Sequence, residues 1–260
     1  MTAPSAKSKA RIDVLLVERG LAPSRERARA IILAGRVLVN EQKQDKAGAL
    51  VAADAAIRLL GDDMPYASRG GLKLAAALDH WHIDVQRRAC LDIGASTGGF
   101  SDCLLQHGAA HVTAVDTGFG QIAMKLRNDP RVRLFERTNA RHLEPGVLAQ
   151  PGEPELSLLA MDVSFISATL VIPPVFAAAP LLHEAVILVK PQFEAGREHV
   201  GKGGIVRDPE AHKQAVDRVS HCVAECGWIV AEVIPSPIEG AEGNKEFLLY
   251  ARKPERTWSS

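Results

Sequence analysis

The sequence predicts an α/β protein with a mainly parallel sheet, preceded by a small basic α+β module, and three observations carry that prediction. From residue 89 onward short apolar runs alternate with helical stretches, the pattern of strands joined by crossover helices. The first of those runs passes through a Gly-rich turn, "LDIGASTGGF", into a helix. Residues 1–60, by contrast, carry 11 Lys and Arg against 6 acids, a balance of +5 in a chain whose formal net charge is zero. A basic segment attached to a net acidic remainder points to a module for a polyanion joined to something else.

Composition bounds the rest. At 260 residues, 47% hydrophobic and 24% charged, the chain suits one large globular domain or two smaller ones. The longest apolar stretch, "ATLVIPPVFAAAPLL", is shorter than the roughly 20 residues a spanning helix needs, and three prolines interrupt it. The opening "MTAPSAKSKAR" lacks the apolar core of a signal peptide. Cys90, Cys103, Cys222 and Cys226 form no C-x-x-C pair. Cys222 and Cys226 lie one helical turn apart beside His221, but no second ligand pair is near, so reduced structural thiols and no metal are expected. A cytoplasmic protein that neither spans nor enters a membrane is the expectation.

In the basic module Leu15, Leu16 and Arg19 ride a first helix that Gly20 ends. Ser24 reads as the N-cap of a second, with Glu26 and Arg27 to Ala30 behind it, Ala28, Ile31 and Ile32 on its apolar face and Gly35 just past its end. "VLVN" is a short strand, and "AAIRLL" returns as another after a polar turn. Arg25 and Arg29 share one face of the second helix and Arg36 follows its end; together with the +5 balance they are candidate RNA contacts. The run "GLAPSRERARAIILAGRVLVN" resembles the S4 RNA-binding domain, which uses such a helix pair as a platform for the RNA backbone.

"GDDMPYASRGG" reads as a boundary, which sets an RNA-binding domain over 1–63, a linker over 64–68 and a catalytic domain over 69–260. Beyond it "RACLDIG", "HVTAVDTG", "VRLFERTNARHL", "LSLLAMDVSF" and "EAVILVKP" are successive strands with helices between the earlier ones. "GWIVAEVIPSP" and "KEFLLYARK" are two last strands with no helix room between them, which implies one antiparallel edge.

The Gly-rich turn is not a dinucleotide fingerprint, because Ser96 stands where the second glycine belongs; Gly94, Gly98 and Gly99 give G-x-x-x-G-G instead. No G-K-[ST] follows, so it is not a nucleotide P-loop. Asp92 precedes the turn and Asp116 ends the next strand, where it is placed to accept from ribose hydroxyls. Strand, acid, glycine turn, second-strand acid and terminal strand pair resemble the class I S-adenosylmethionine-dependent methyltransferases. That resemblance implies S-adenosylmethionine as cofactor, held by Asp92, Gly94, Ser96, Gly98, Gly99, Phe100, Asp116, Asn139 and Asp162.

Four charged residues fall where such a sheet opens its crevice. Lys73 lies in the helix before the first strand, Asp162 ends the fourth, Lys190 ends the fifth and Glu246 begins the last. Lys190 is the least expected of them, since its strand is apolar throughout and Pro191 pins the residue in place. The order K, D, K, E resembles the tetrad of the FtsJ-like ribose 2′-O-methyltransferases. With "SRGGLKL", "ERTNARHL", "DVSFIS" and "KPQFEAGRE" added, the chain from Arg11 to Lys253 is similar to the TlyA family of bacterial rRNA methyltransferases, some of which also carry the name haemolysin. The resemblance implies Lys73, Asp162, Lys190 and Glu246 as catalytic residues, methylation of cytidine 2′-hydroxyls in rRNA of one or both ribosomal subunits, and no metal; a monomer is expected.

The chemistry suits a lysine. A ribose hydroxyl must lose or share one proton and be aligned with the methyl, which on a sulfonium is already electrophilic. Lys190 is then the base or polarising group, Lys73 its like-charge neighbour, and Asp162 and Glu246 orient both. The alternatives are a non-catalytic RNA-binding regulator, a pore-forming lysin, and a methyltransferase acting on bases. The complete K-D-K-E set opposes the first and the missing membrane segment the second. The third lacks an N-P-P-[YF] run after the fourth strand, where "MDVSF" stands instead.

Overall fold

The computed structural model describes residues 9–22, 24–60, 64–148, 152, 154–196, 199–240 and 243–254. The chain divides into two compact units, residues 1–63 and 64–260.

In the first unit β1 (Lys9–Arg11) leads into α1 (Ile12–Glu18), and α2 (Arg25–Leu33) opens on Ser24, whose hydroxyl accepts from the Arg27 amide at 3.2 Å. Gly35, at φ +66°, turns the chain after α2 in a left-handed conformation that glycine adopts without strain. Arg19 caps α1 rather than riding it, and its guanidinium donates to the carbonyls of Ala53 and Ala55. The expected strands are β2 (Val37–Val39) and β5 (Ile57–Leu59), joined in a three-stranded sheet by β3 (Gln42–Gln44). β4 (Leu50–Ala52) pairs antiparallel with β1. Ile12, Leu16, Ala28, Ile31 and Ile32 form the core between helices and strands, so each helix buries the face its apolar spacing defines.

The second unit begins its helices with α3 (Gly70–His80), and Tyr66 and Ala67, in the stretch read as a linker, pack against its core. Then come β6 (Ala89–Ile93), α4 (Gly99–Gln106), β7 (His111–Val115), α5 (Met124–Arg127), β8 (Val132–Phe135) and β9 (Leu156–Met161). α6 (Ile172–Ala178), β10 (Glu184–Val189), α7 (Pro191–Glu194), α8 (Pro209–Glu225), β11 (Ile229–Pro235) and β12 (Phe247–Arg252) complete it. The seven strands form one sheet in the order β11-β12-β10-β9-β6-β7-β8. Its two faces explain the unbroken apolar run of β10. Val186 and Leu188 pack with Leu74, Leu78 and Leu104 of α3 and α4, while Ala185, Ile187 and Val189 pack with Ile172, Val175 and Val219 of α6 and α8.

One edge of the sheet is antiparallel, as the sequence implies, and the strand that runs against the others lies one place in. β12 pairs antiparallel with both β10 and β11, and β11 forms the edge. The physical reason is burial: the four central residues of β12 are buried, whereas β11 is largely exposed or half-buried, so the more apolar strand takes the covered position. Among the described residues no helix is long and apolar enough to cross a membrane.

Candidate active site

The parallel strands β6, β7, β9 and β10 all end on one side of the sheet, and the loops after them line two adjoining cavities. The first, about 310 Å³, is lined by Ser68, Arg69, Lys73, Gly94, Ser96, Gly99, Phe100, Asp162, Ser164, Lys190 and Glu246. The second, about 560 Å³, shares Gly94, Ser96, Asp162 and Ser164 with it and adds Asp116, Asn139 and the apolar Ile93, Val115, Ala140 and Val171.

All four charged residues singled out in the sequence meet at the first cavity. Lys190 follows β10 and its ammonium lies 2.6 Å from Asp162 Oδ1, while donating to the Ser164 hydroxyl, also at 2.6 Å. The contact to Asp162 Oδ1 is close but off hydrogen-bond geometry, which leaves that buried oxygen ion-paired yet without a hydrogen bond. Lys73, on the first turn of α3, is ion-paired with Glu246. Both lysines are almost buried, at 7% and 8% exposure, so their charge is balanced by carboxylates rather than by water. The sequence reading has Asp162 and Glu246 orienting the two ammonium groups between them; in the structure each lysine has its own acid. Glu246 precedes its strand, whereas Asp162 and Lys190 follow theirs. Because β12 runs against its neighbours, its start lies where their ends do.

The turn after β6 is shaped by contacts. Gly94 has φ +85°, and a Cβ there would collide with the Asp162 carbonyl oxygen, so only glycine lets the two strand ends come this close. The Asp162 amide donates to the Ile93 carbonyl at 2.9 Å and fixes the same approach. Asp116 follows β7; its carboxylate accepts from the Ser96 amide at 2.7 Å and the Gly118 amide at 2.6 Å, which aims it at the second cavity. Asn139, which lines the second cavity, accepts from the Arg141 amide through Oδ1 at 3.0 Å.

Two predicted ligand contacts do not line either cavity. Asp92 is wholly buried beneath the turn, where Oδ2 accepts from the Ser101 hydroxyl at 2.6 Å and Oδ1 has no hydrogen-bond partner; burial pushes its carboxyl up to about 7. Gly98 (φ +93°) serves packing, since a Cβ there would strike Leu126 and Ile122. The sequence reading passed over one residue that lines both cavities, Ser164, and one buried behind them, Glu194. Ser164 holds the Lys190 ammonium. Glu194, buried at the end of α7, accepts from the Ser167 hydroxyl at 2.5 Å and the Ala168 amide at 2.6 Å, tying the helix after Lys190 to the loop after Asp162. Burial pushes the Glu194 carboxyl up. The signal for both was present in "DVSFIS" and "KPQFEAG", but a hydroxyl or an acid inside a loop motif does not reveal its partner.

In the first unit Arg25 and Arg29 both reach Asp13, and Arg36 donates to the Leu60 carbonyl at 2.9 Å. Among the described residues no group of three or more His, Cys, Asp and Glu is placed to hold a metal ion.

A doubly wound sheet with one inserted antiparallel strand, a glycine turn after its first strand and an acid after its second defines a class I methyltransferase domain. A family profile described as FtsJ-like methyltransferase matches residues 66–253, and one described as S4 domain matches residues 10–57. The chain belongs to the TlyA family, in which an S4 domain precedes an FtsJ-like methyltransferase domain. YqxC of Bacillus subtilis, a candidate rRNA methyltransferase, is 47% identical over 246 residues, covering 95% of this chain and 86% of that protein. The 16S/23S rRNA (cytidine-2′-O)-methyltransferase TlyA of Mycobacterium tuberculosis is 44% identical over 245 residues, covering 94% and 90%. A solved structure of a hemolysin candidate from Streptococcus thermophilus is 41% identical, with a TM-score of 0.71 over 96% of this chain and 90% of that one.

Proposed function

We propose that this protein transfers a methyl group from S-adenosylmethionine to cytidine 2′-hydroxyls of ribosomal RNA, in the cytoplasm, as a monomer and without a metal. The observation that carries the reading is the meeting of Lys73, Asp162, Lys190 and Glu246 at one cavity that opens onto a second. The second cavity suits the cofactor. Asp116 offers carboxylate lone pairs to a ribose diol, and Ile93, Val115, Ala140 and Val171 give an apolar slot for a flat base beside Asn139. The glycine at 94, which borders both cavities, lets the turn after β6 approach the Asp162 backbone.

When bound, S-adenosylmethionine supplies an electrophilic methyl on a sulfonium. The chain's own residues do the remainder. Lys190, placed by Asp162 and Ser164, polarises the 2′-hydroxyl or, as the neutral amine once its own proton has passed to solvent, takes the hydroxyl proton as the oxygen bonds to the methyl. Lys73, fixed by Glu246, donates to the same oxygen and holds the charge that forms on it. The burial of both pairs excludes water that would compete as acceptor. The exposed arginine-bearing face of the first unit binds the phosphates.

The test is methyl transfer from tritiated S-adenosylmethionine to purified ribosomal subunits, with and without chelator, followed by mapping of 2′-O-methyl sites in the product RNA. Label in cytidine ribose, insensitive to chelator, is expected. Label on bases, or none, removes the reading.

A further inference from the structure

The first unit contains a charge arrangement that a scattering of surface arginines would not produce. Asp13, the second residue of α1, is withdrawn from solvent, with 0% of its side chain exposed. Arg11 of β1 forks onto it, Nε to Oδ1 and Nη2 to Oδ2, both at 2.9 Å. Arg25, at the first position of α2, reaches Oδ2 at 3.1 Å, and Arg29, one turn on, reaches the same oxygen at 3.4 Å. The three arginine side chains remain 43%, 54% and 55% exposed. One buried carboxylate thus gathers three half-exposed arginines from two elements and leaves the cluster at a net charge of +2.

Such a group has donors to spare. A guanidinium has five N–H donors, and Asp13 takes two from Arg11 and one each from Arg25 and Arg29. What the carboxylate removes is conformational freedom: arginine side chains carry much rotamer entropy, and each is already fixed before a ligand arrives. The three forks converge on one carboxylate, and a planar guanidinium with free N–H donors suits phosphate oxygens. A purely architectural role for Asp13, tying α1 to α2, would need one arginine and not three.

We propose that Asp13 is a positioning residue for RNA recognition: it holds Arg11, Arg25 and Arg29 as a preformed phosphate clamp, and its loss weakens RNA binding although it adds positive charge to the surface. The inference rests on the reading of this unit as the RNA platform. The arginine-bearing face and the sign of the charge effect separate the two ideas.

The experiment measures binding of the full-length protein to purified large ribosomal subunits over a salt titration. In Asp13→Asn the shape is kept and the net charge of the protein rises by one. Affinity is expected to fall about tenfold, the worth of one charge-assisted hydrogen bond, and the salt slope to shrink by about one to two phosphate contacts. Screened attraction alone predicts the reverse, tighter binding with a steeper slope, and that result or an unchanged affinity overturns the proposal. Asp13→Glu covers the case in which Asp13→Asn unfolds the unit: it retains the charge and displaces it by one methylene, and a partial loss of affinity is expected at unaltered net charge. Full affinity in a folded Asp13→Glu protein also overturns it. The combined Arg11→Ala, Arg25→Ala, Arg29→Ala protein tests the underlying reading. If that variant binds as the wild type does, this unit is not the platform; if it fails while Asp13→Asn binds normally, only the clamp is wrong.

Discussion

Lys190 has two oxygen partners on a neighbouring loop, Asp162 and Ser164, which border both cavities, whereas Lys190 itself lines the first cavity and not the Asp116 one. Lys190→Ala is accordingly expected to lower the methyl-transfer rate by about 10²–10⁴, the usual worth of a general acid or base, while calorimetry finds cofactor affinity close to wild type. Asp92 gives a second expectation, about pH. Its folded-state carboxyl, pushed up to about 7, binds a proton more tightly than in the unfolded chain, where the ordinary value is near 4. Its contribution to stability is therefore greatest below pH 4, falls as pH rises to about 7, and is flat beyond. Asp92→Asn cannot ionise, so the difference in thermal midpoint between variant and wild type should shift in the variant's favour across that range; a difference independent of pH would show that Asp92 titrates normally. At this scale the charged residues were legible in the sequence, because a lysine closing an apolar strand contradicts its surroundings. Asp92 was legible as important but not in its role. Nothing in "LDIG" distinguishes a carboxylate that touches a ligand from one that sits beneath the turn and bonds Ser101 on the helix after it.

Elements were legible where they are long and covered on both faces. β10 and β9 show as apolar runs because helices pack against each side, and α2 shows by its cap and its apolar face. The strands β1, β3 and β4 were not legible, since three residues give no period to detect and their pairing partners lie elsewhere in the chain. The place of β12 inside the sheet depends on long-range competition for burial, which local pattern does not encode. The turn after β6 offers a test of element geometry. Gly94→Ala forces a side chain into a left-handed position and against the Asp162 carbonyl, so urea unfolding should show a loss of more than about 1 kcal/mol. Cofactor affinity should fall with it, because the ends of β6 and β9 can no longer approach. Retained affinity in a destabilised protein would mean that the turn is needed for folding and not for the ligand.

Across the whole molecule the two compact units differ in charge. Residues 1–60 carry the +5 balance, and the remainder of the chain is net acidic. A protein lacking residues 1–63 is expected to bind S-adenosylmethionine as the intact chain does, yet to methylate ribosomal RNA poorly. Its salt slope should be flatter by roughly two to three, at about −0.7 to −0.9 per phosphate contact. Full activity with an unaltered slope would assign the RNA contacts to the second unit. Lost cofactor binding would mean that the units fold together. The division itself was legible from charge and from the change of pattern near residue 64. The inserted position of β12 carries a further consequence, for how the catalytic set is completed. Lys73 and Glu246 stand 173 residues apart, and the strand behind Glu246 fits between two strands that leave the ribosome before it. The glycine turn, Asp116, Asp162 and Lys190 all precede β12 in the chain, and β10 and β11 are joined in the sheet through β12. Closure of the sheet and the pairing of Lys73 with Glu246 therefore depend on the same strand, the last one in the chain.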